Sequence, residues 1–535
     1  MPASTNICGS DSKPDSFSQP ESFNAHSPMK ADLSRSTFSP TKHFHDVRLQ
    51  QGRVQLDADW NEQLDITAHR VETETVDVVG TCGAPKHDDA FAIAAAVADL
   101  PAAQQPAATA LGALAAGDFF LSAGRFYAHG LLCENETPVK YSAQPDSPGG
   151  MPLAATGLYL AYLDVWPRHL TFLDDQAIRE VALNGPDTAT RVKTIWQVKL
   201  VKVGATGATA DCAADYAPYD SAAAAPTGEL SARAEPGATS DKPCIIEPGA
   251  GYRRLENQLY RVEVHAGGAN GTATFKWSRD NGAVAALWQS TADTHIIQLQ
   301  RPPPDDKLGF AVGQWVEITD DARELSGQPG MLVQLTKVEP QFLTLGTLSE
   351  PLSKFKLNAK VRRWDSANTN DTAGDITISA NKWIDLEDGV QVQFEAGTFR
   401  TGDYWLIPAR TATGDVEWPR DSAQKPIPAL PHGVRHVYCR IGFVDFDGTT
   451  ITPTDCRALF PPLTEIQPGG DLKLHNKHLH GWGVVCGLQV HCGGSRTQVS
   501  IEPGHAIDCE GTERLSRRPT QIERYVRWER SLCPP

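Results

Sequence analysis

The residue types most able to do chemistry crowd the C-terminal end. His475, His478, His480, Cys486, His491, Cys492, His505 and Cys509 fall within 35 residues. Imidazole nitrogen and thiolate sulfur are the donors that zinc and iron favour, and an extended His478-x-His480 would project both rings to one face. His43-x-His45 repeats that spacing. Against a metal centre, no CxxC occurs, no finger spacing fits, and strand alternation sends His491 and Cys492 to opposite faces. Buried small thiols with surface histidines account for the same residues. No metal ligand and no cofactor is therefore assigned.

Asp57 with Asp59, and Asp320 with Asp321, are the closest carboxylate pairs. A glycosidase holds two carboxyl groups roughly 5–10 Å apart across a cleft. Local pattern gives both pairs a structural task instead: Asp59 caps a helix, and Asp320-Asp321 sits in a turn after Ile318. No Gly-x-Ser-x-Gly elbow, phosphate loop or His-Glu-x-x-His helix is present, so no catalytic residue is assigned and the chain reads as a non-enzyme. Twelve tryptophans invite stacking on sugar rings. However, Trp277, Trp315, Trp364, Trp383 and Trp405 lie in or beside strand-like runs, where core packing is the commoner use.

The elements that would position such groups follow from pattern. A length of 535 residues implies about three to five folding units. With 49 Lys+Arg against 65 Asp+Glu, the net charge of −16 excludes a phosphate backbone as partner. No apolar run approaches the ~20 residues of a spanning helix, so no membrane span is expected. The eleven cysteines read as cytosolic thiols, since no secretion signal precedes them.

Asp59 followed by Glu62 has capping-box spacing and predicts a helix starting near Trp60 and ending at Gly80. Trp60, Leu64, Ala68, Val71, Thr75 and Val78 recur along it at spacings of four, four, three, four and three. Such a stripe is either a face packed on its own domain or a self-association seam. Trp60, Leu64, Val71 and Val78 are assigned as partner-binding residues, with a homotrimer favoured over a dimer.

Leu158–Trp166 reads as a strand covered on both faces, and 192–200 as a half-buried one. Tyr260, Val262 and Val264 form a hairpin with Thr272–Trp277 across Gly267–Gly271. Residues 305–365 read as a small barrel. At the end, a turn over Gly493–Arg496 sets Val490 opposite Val499 and Leu488 opposite Ile501. The fold class is mainly β, multidomain, with β-sandwich or small-barrel units and one N-terminal helix. Its parts are a disordered leader (1–29), the motif and helix (30–83), an Ala/Pro-rich linker (84–117) and a β domain (118–304) with a surface excursion at 204–240. The barrel-like insert (305–365), a continuation of the β domain (366–465) and a C-terminal hairpin module (466–535) complete it.

Several stretches resemble one bacterial family of unknown function encoded among genes for phage-tail-like contractile injection systems. They are Gln50–Glu62 (QQGRVQLDADWNE), Tyr162–Trp166, Arg179–Leu183, Gly185–Arg191, Glu256–Glu263, Phe275–Gly282 and Gly402–Arg410. Leu479–Leu488 with Pro503–Asp508 is similar to a separate module of phage-tail-like proteins. The resemblance implies a structural component of such a particle, baseplate-peripheral or fibre-like. Its partners would be other particle components and copies of itself, and its assembly would be cytoplasmic. A carbohydrate-binding adhesin is the alternative, and a polysaccharide-cleaving enzyme the third reading. Longer relatives continue past the last module, so a distal domain is expected to be lacking.

Overall fold

A computed structural model describes residues 30–465, apart from 89, 184, 186, 236–250, 304–308 and 367–373, and the backbone of four short strands beyond. The leader and the side chains of the C-terminal His/Cys cluster lie outside the described residues.

The unbroken apolar run at Leu158–Trp166 becomes the centre of the first sheet. The strand Gly157–Leu170 is buried through its first ten residues. It lies between Val437–Phe446 and Arg191–Gly204, with Ile451–Asp455 at the edge. One face, with Trp196 on it, packs on Phe91, Phe119 and Phe126. The Ala-rich stretch that reads as a linker thus supplies Ala84, Ala90 and Phe91 to this core, and Ala94, Leu100 and Ala108 to a satellite core. Small side chains there allow close approach to a sheet. The half-buried reading of 192–200 needs correction too, because Ile195 to Val198 are all buried. Gln197 tolerates burial because its amide donates to the Asp146 and Leu325 carbonyls at 2.6 and 3.0 Å.

The expected hairpin forms, with Val262 opposite Trp277 and Val264 opposite Phe275. Tyr404–Arg410 flanks it on the other side. Its core of Tyr260, Phe275, Trp277 and Trp405 is closed by Leu230, Ala232, Val392 and Phe394 from a second, three-stranded sheet. Leu230–Ala234 is therefore a core strand inside the stretch that reads as a surface excursion.

The barrel is closed and six-stranded, built from Ala285–Ser290, Ile296–Leu299, Trp315–Thr319, Met331–Val338, Phe342–Leu345 and Lys360–Trp364. It starts 20 residues before the expected 305, because Ala285–Leu287 must pair with Lys360–Arg362 to close the ring. Val316, Ile318, Val333, Leu343 and Val361 fill it.

Charged side chains join barrel to sheets. The Lys360 ammonium lies 2.6 Å from Asp174, 2.6 Å from Asp321 and 2.9 Å from Glu324, and Arg168 reaches the same three carboxylates. Burial alone would push Glu324 up, but Lys360 and then Arg168 outweigh it and hold it below the usual carboxylate range. Nearby, Glu263 accepts from Lys30 at 2.8 Å and from Arg261 at 2.7 Å. Lys276 lies 3.4 Å from Glu263 and 2.5 Å from Glu317, and the Trp364 indole donates to Glu317 at 2.9 Å.

Two disulfides correct the thiol reading for four cysteines: Cys82–Cys439 and Cys212–Cys456, with Cα separations of 5.8 and 5.5 Å. Cys133 is free and buried, and burial pushes its thiol up to about 12. A second compact unit comprises Pro85–His87 with Phe460–Pro535. In it Leu488 pairs with Val499 and Val490 with Thr497, so the register differs from the expected one. Only two residues separate those strands, where the sequence reading allots four to the turn.

Lys360→Met is expected to cost about 3–5 kcal/mol, because three carboxylates are left to a single cation. An unchanged urea midpoint would refute that role. Reduction should remove about 2–5 kcal/mol per bridge and lower Tm, while Cys133 stays unalkylated until the chain unfolds. Peptide mass spectrometry that finds neither linked pair in the oxidised protein would contradict the pairing.

Candidate functional site

The front helix runs from Asp57 to Val79. It begins earlier than the capping-box spacing predicts. Leu56 is the cap residue, Asp59 is three positions inside and accepts the Leu56 amide at 3.2 Å, and Glu62 instead accepts the Thr37 hydroxyl at 2.6 Å. Gly80, at φ 95°, ends the helix as expected.

Only Ala58 and Ile66 of this helix are buried. Polar contacts supply most of its attachment. The Gln63 side chain accepts the Val47 amide at 2.8 Å, Phe38 packs 5.7 Å from the His69 ring, and Arg435 pairs with Glu72 at 3.1 Å. Gly130 sits under the helix at φ 88°, where a Cβ would come 2.5 Å from the Glu72 carbonyl oxygen. Glycine is required there both by conformation and by space.

At 100° per residue, this attached face lies about 150° from the 4-3 stripe. The stripe accordingly points outward: Trp60 is 59% exposed, Leu64 52%, Val71 55% and Val78 66%. It is not a core face of its own domain. The arm before the helix adds exposed Phe44, Leu49, Val54 and Leu56, so eight of the 21 exposed large apolar side chains among the described residues fall between residues 44 and 78. The Val47–Gln63 bond holds that arm beside the helix. Such a concentration is unusual for a surface that meets only water.

Carboxylates on the attached face feel their burial. Asp65 is pushed up to about 7, chiefly by desolvation and then by the Glu62 charge. Glu72 is also raised by burial, with Arg435 opposing.

The other residues that pattern singles out have structural partners. Asp57 accepts the Ser34 amide at 2.8 Å, and Asp320 caps the short helix Asp321–Leu325 by accepting the Arg323 amide at 3.1 Å. Asp321 belongs to the Lys360 cluster, so neither carboxylate pair frames a cleft. His43 and His45 are exposed. Of the described tryptophans, Trp60 alone is more than half exposed. Trp277, Trp364 and Trp405 are fully buried, and Trp383 is covered by the Arg233 guanidinium at 3.8 Å. No row of open indoles exists among the described residues to carry the sugar-binding reading. Asp174, Asp321 and Glu324 lie close enough to suit a metal ion, but the Lys360 ammonium bonds all three. Cys82 and Cys439, beside His129, are tied to each other.

Sequence reading misses the buried ionic clusters. Their signal is present, since Lys276 stands between Phe275 and Trp277, and Lys360, Arg362 and Arg363 occupy three places of a five-residue strand.

The chain matches a family of unknown function (DUF6519) over residues 29–217 and 211–467, more than half of its length. No curated protein and no solved structure matches it.

Folded Asp65 keeps its proton to about pH 7, whereas the unfolded chain releases it near pH 4. The folded state thus binds more protons across that window, and this group's contribution to stability falls as pH rises from about 4 to about 7. Asp65→Asn is expected to melt higher than the unmodified protein at pH 8 and at the same temperature at pH 4. Parallel pH profiles would refute the assignment.

Proposed function

We propose that this chain, which belongs to the family of unknown function DUF6519, is a non-enzymatic structural subunit. It self-associates through the outward face of its 57–79 helix and is built into a phage-tail-like contractile particle, in a baseplate-peripheral or fibre-like place. The observation that carries the self-association is the exposure of Trp60, Leu64, Val71 and Val78 on the face opposite the one that docks. The resemblance of Gln50–Glu62 and the later stretches to proteins encoded with such particles supports the assembly.

The magnitudes say how large the interface must be. Burying the exposed half of each stripe residue contributes roughly 1 kcal/mol, or about 4 kcal/mol per helix. Two helices together give about 8 kcal/mol, which lost rigid-body freedom of about 4–15 kcal/mol largely offsets. The arm residues Phe44, Leu49, Val54 and Leu56 roughly double the apolar area, so the seam needs arm and helix together. A homotrimer is the expected state, since symmetric closure buries the stripe of every copy.

Sedimentation analysis of the unmodified protein at micromolar concentration should give the mass of an oligomer. Replacing Leu64 and Val71 together by Glu should give a folded monomer with an unchanged circular dichroism spectrum. A monomeric unmodified protein would sink the self-association. Recovery of the chain only as free protein, from cells that make sheath-and-tube particles, would sink the particle assignment.

A further inference from the structure

A second feature lies away from the helix, where barrel and sheets meet around a cavity of about 440 Å³. That volume is in the range of small-molecule sites. Nine Lys and Arg side chains line it against five Asp and Glu, although the whole chain carries −16.

Many of these cations are neutralised locally. Arg168 and Lys360 share Asp174, Asp321 and Glu324, Lys199 pairs with Asp164, and Arg435 with Glu72. The remainder is uneven. Arg400 donates to the Ala224 carbonyl and lies over the Tyr438 ring; of the other four, Lys30, Arg261 and Lys276 share only two carboxylates, Glu263 and Glu317, and Arg362 pairs with neither. Arg362 is 6% exposed, and its guanidinium donates to the Gly282 carbonyl, with no carboxylate at ion-pair distance among the described residues. A buried cation without a counterion is unfavourable by several kcal/mol unless an anion joins it.

Geometry brings the two guanidinium arms together. Gly282 lies between them, and a Cβ there would sit 3.6 Å from Arg362 and 3.9 Å from Arg261. The Arg261 guanidinium carbon lies over the Tyr404 ring, 3.6 Å from its centroid. His169 also lines the cavity, and its buried Nε2 has no hydrogen-bond partner. Burial lowers that imidazole to about 3; Asp174 opposes the shift, while Arg362, Arg261 and Lys30 add to it. The ring is therefore neutral at pH 7 and can donate one hydrogen bond without adding charge. Along another part of the lining, Trp166, His436 and Tyr438 stack on one another with ring centroids 4.7 and 6.2 Å apart, and they form an aromatic wall whose inner faces are already paired.

We propose that this cavity binds a small organic ligand bearing a tetrahedral oxyanion, a phosphate or sulfate ester, with Arg362, Arg261 and Lys30 around the anion and the aromatic wall of Trp166, His436 and Tyr438 beside its organic part. Bidentate guanidinium donors suit such oxygens, and the two unbalanced charges of the cluster match a dianion. The site is independent of the helical seam and stands or falls separately.

Calorimetric titration of the full chain tests it, with inorganic phosphate, inorganic sulfate, glucose 6-phosphate and glucose 6-sulfate as probes at matched ionic strength. Saturable binding is expected for at least one inorganic ion, and tighter binding for its sugar ester. The preferred ester tells phosphate from sulfate. Arg362→Gln should weaken binding by about tenfold or more, whereas Lys337→Gln, at a lysine 63% exposed on the barrel, should not change it. Absence of saturable heat with all four probes in the unmodified protein overturns the proposal whether or not the variant folds. Equal affinity in Arg362→Gln also overturns it.

Discussion

Lys360 is the point on which the assembled body turns. Its ammonium, 2% exposed, is taken out of water and surrounded by carboxylates from a barrel helix and from the loop after the strand Gly157–Leu170. An isolated buried charge is intolerable in a medium of low polarity, and a geometry that brings three acceptors to it becomes almost obligatory. Beside their separate apolar cores, the barrel and the first sheet share a small apolar contact of Leu325 with Trp166 and Ile195, which by itself fixes their orientation weakly. Directional hydrogen bonds among Arg168, Lys360 and their carboxylates remove the remaining freedom. A hydrophobic junction of equal area could well hold as tightly, but it would specify orientation less sharply.

Strand identity was legible in the sequence wherever one physical rule dominated. The solid apolar run at 158–166 became a buried strand, and the strand carrying Tyr260, Val262 and Val264 formed where their alternation puts it, although Arg261, Glu263 and His265 between them are buried too. Features that depend on distant partners were not legible. The barrel begins at Ala285 because of its pairing with a strand some 75 residues later, which local pattern does not contain. The C-terminal register turned on how many residues make the turn. For the helix, period and position could be read, but not which face docks. Its stripe is the most apolar face, and the reasoning of a globular helix would turn it inward. The actual anchors are Thr37, Val47, Gly130 and Arg435, three of them polar or main-chain contacts invisible to a hydrophobic pattern.

That inversion separates two tasks within one element. Hydrogen bonds and an ion pair fasten the helix, and these are directional and self-contained. The apolar side chains are left free for a different surface. A helix held by its oily face would have to release its own domain before meeting another copy. Here the outward stripe takes no part in docking the helix, so covering it would not require the front of the chain to unfold.

The two disulfides give the chain a covalent outline that the fold alone does not. Cys82 and Cys439 are 357 positions apart, a loop that includes both the hairpin sheet and the barrel, and Cys212 and Cys456, 244 positions apart, close a second loop that overlaps the first between residues 212 and 439. A backbone cut anywhere between residues 82 and 439 therefore leaves both halves in one covalent piece. A protease acting on the oxidised protein can nick it there without releasing a fragment, and the ion clusters and cores then hold the nicked strands in register. The topology converts a single proteolytic cut from disassembly into a silent scar.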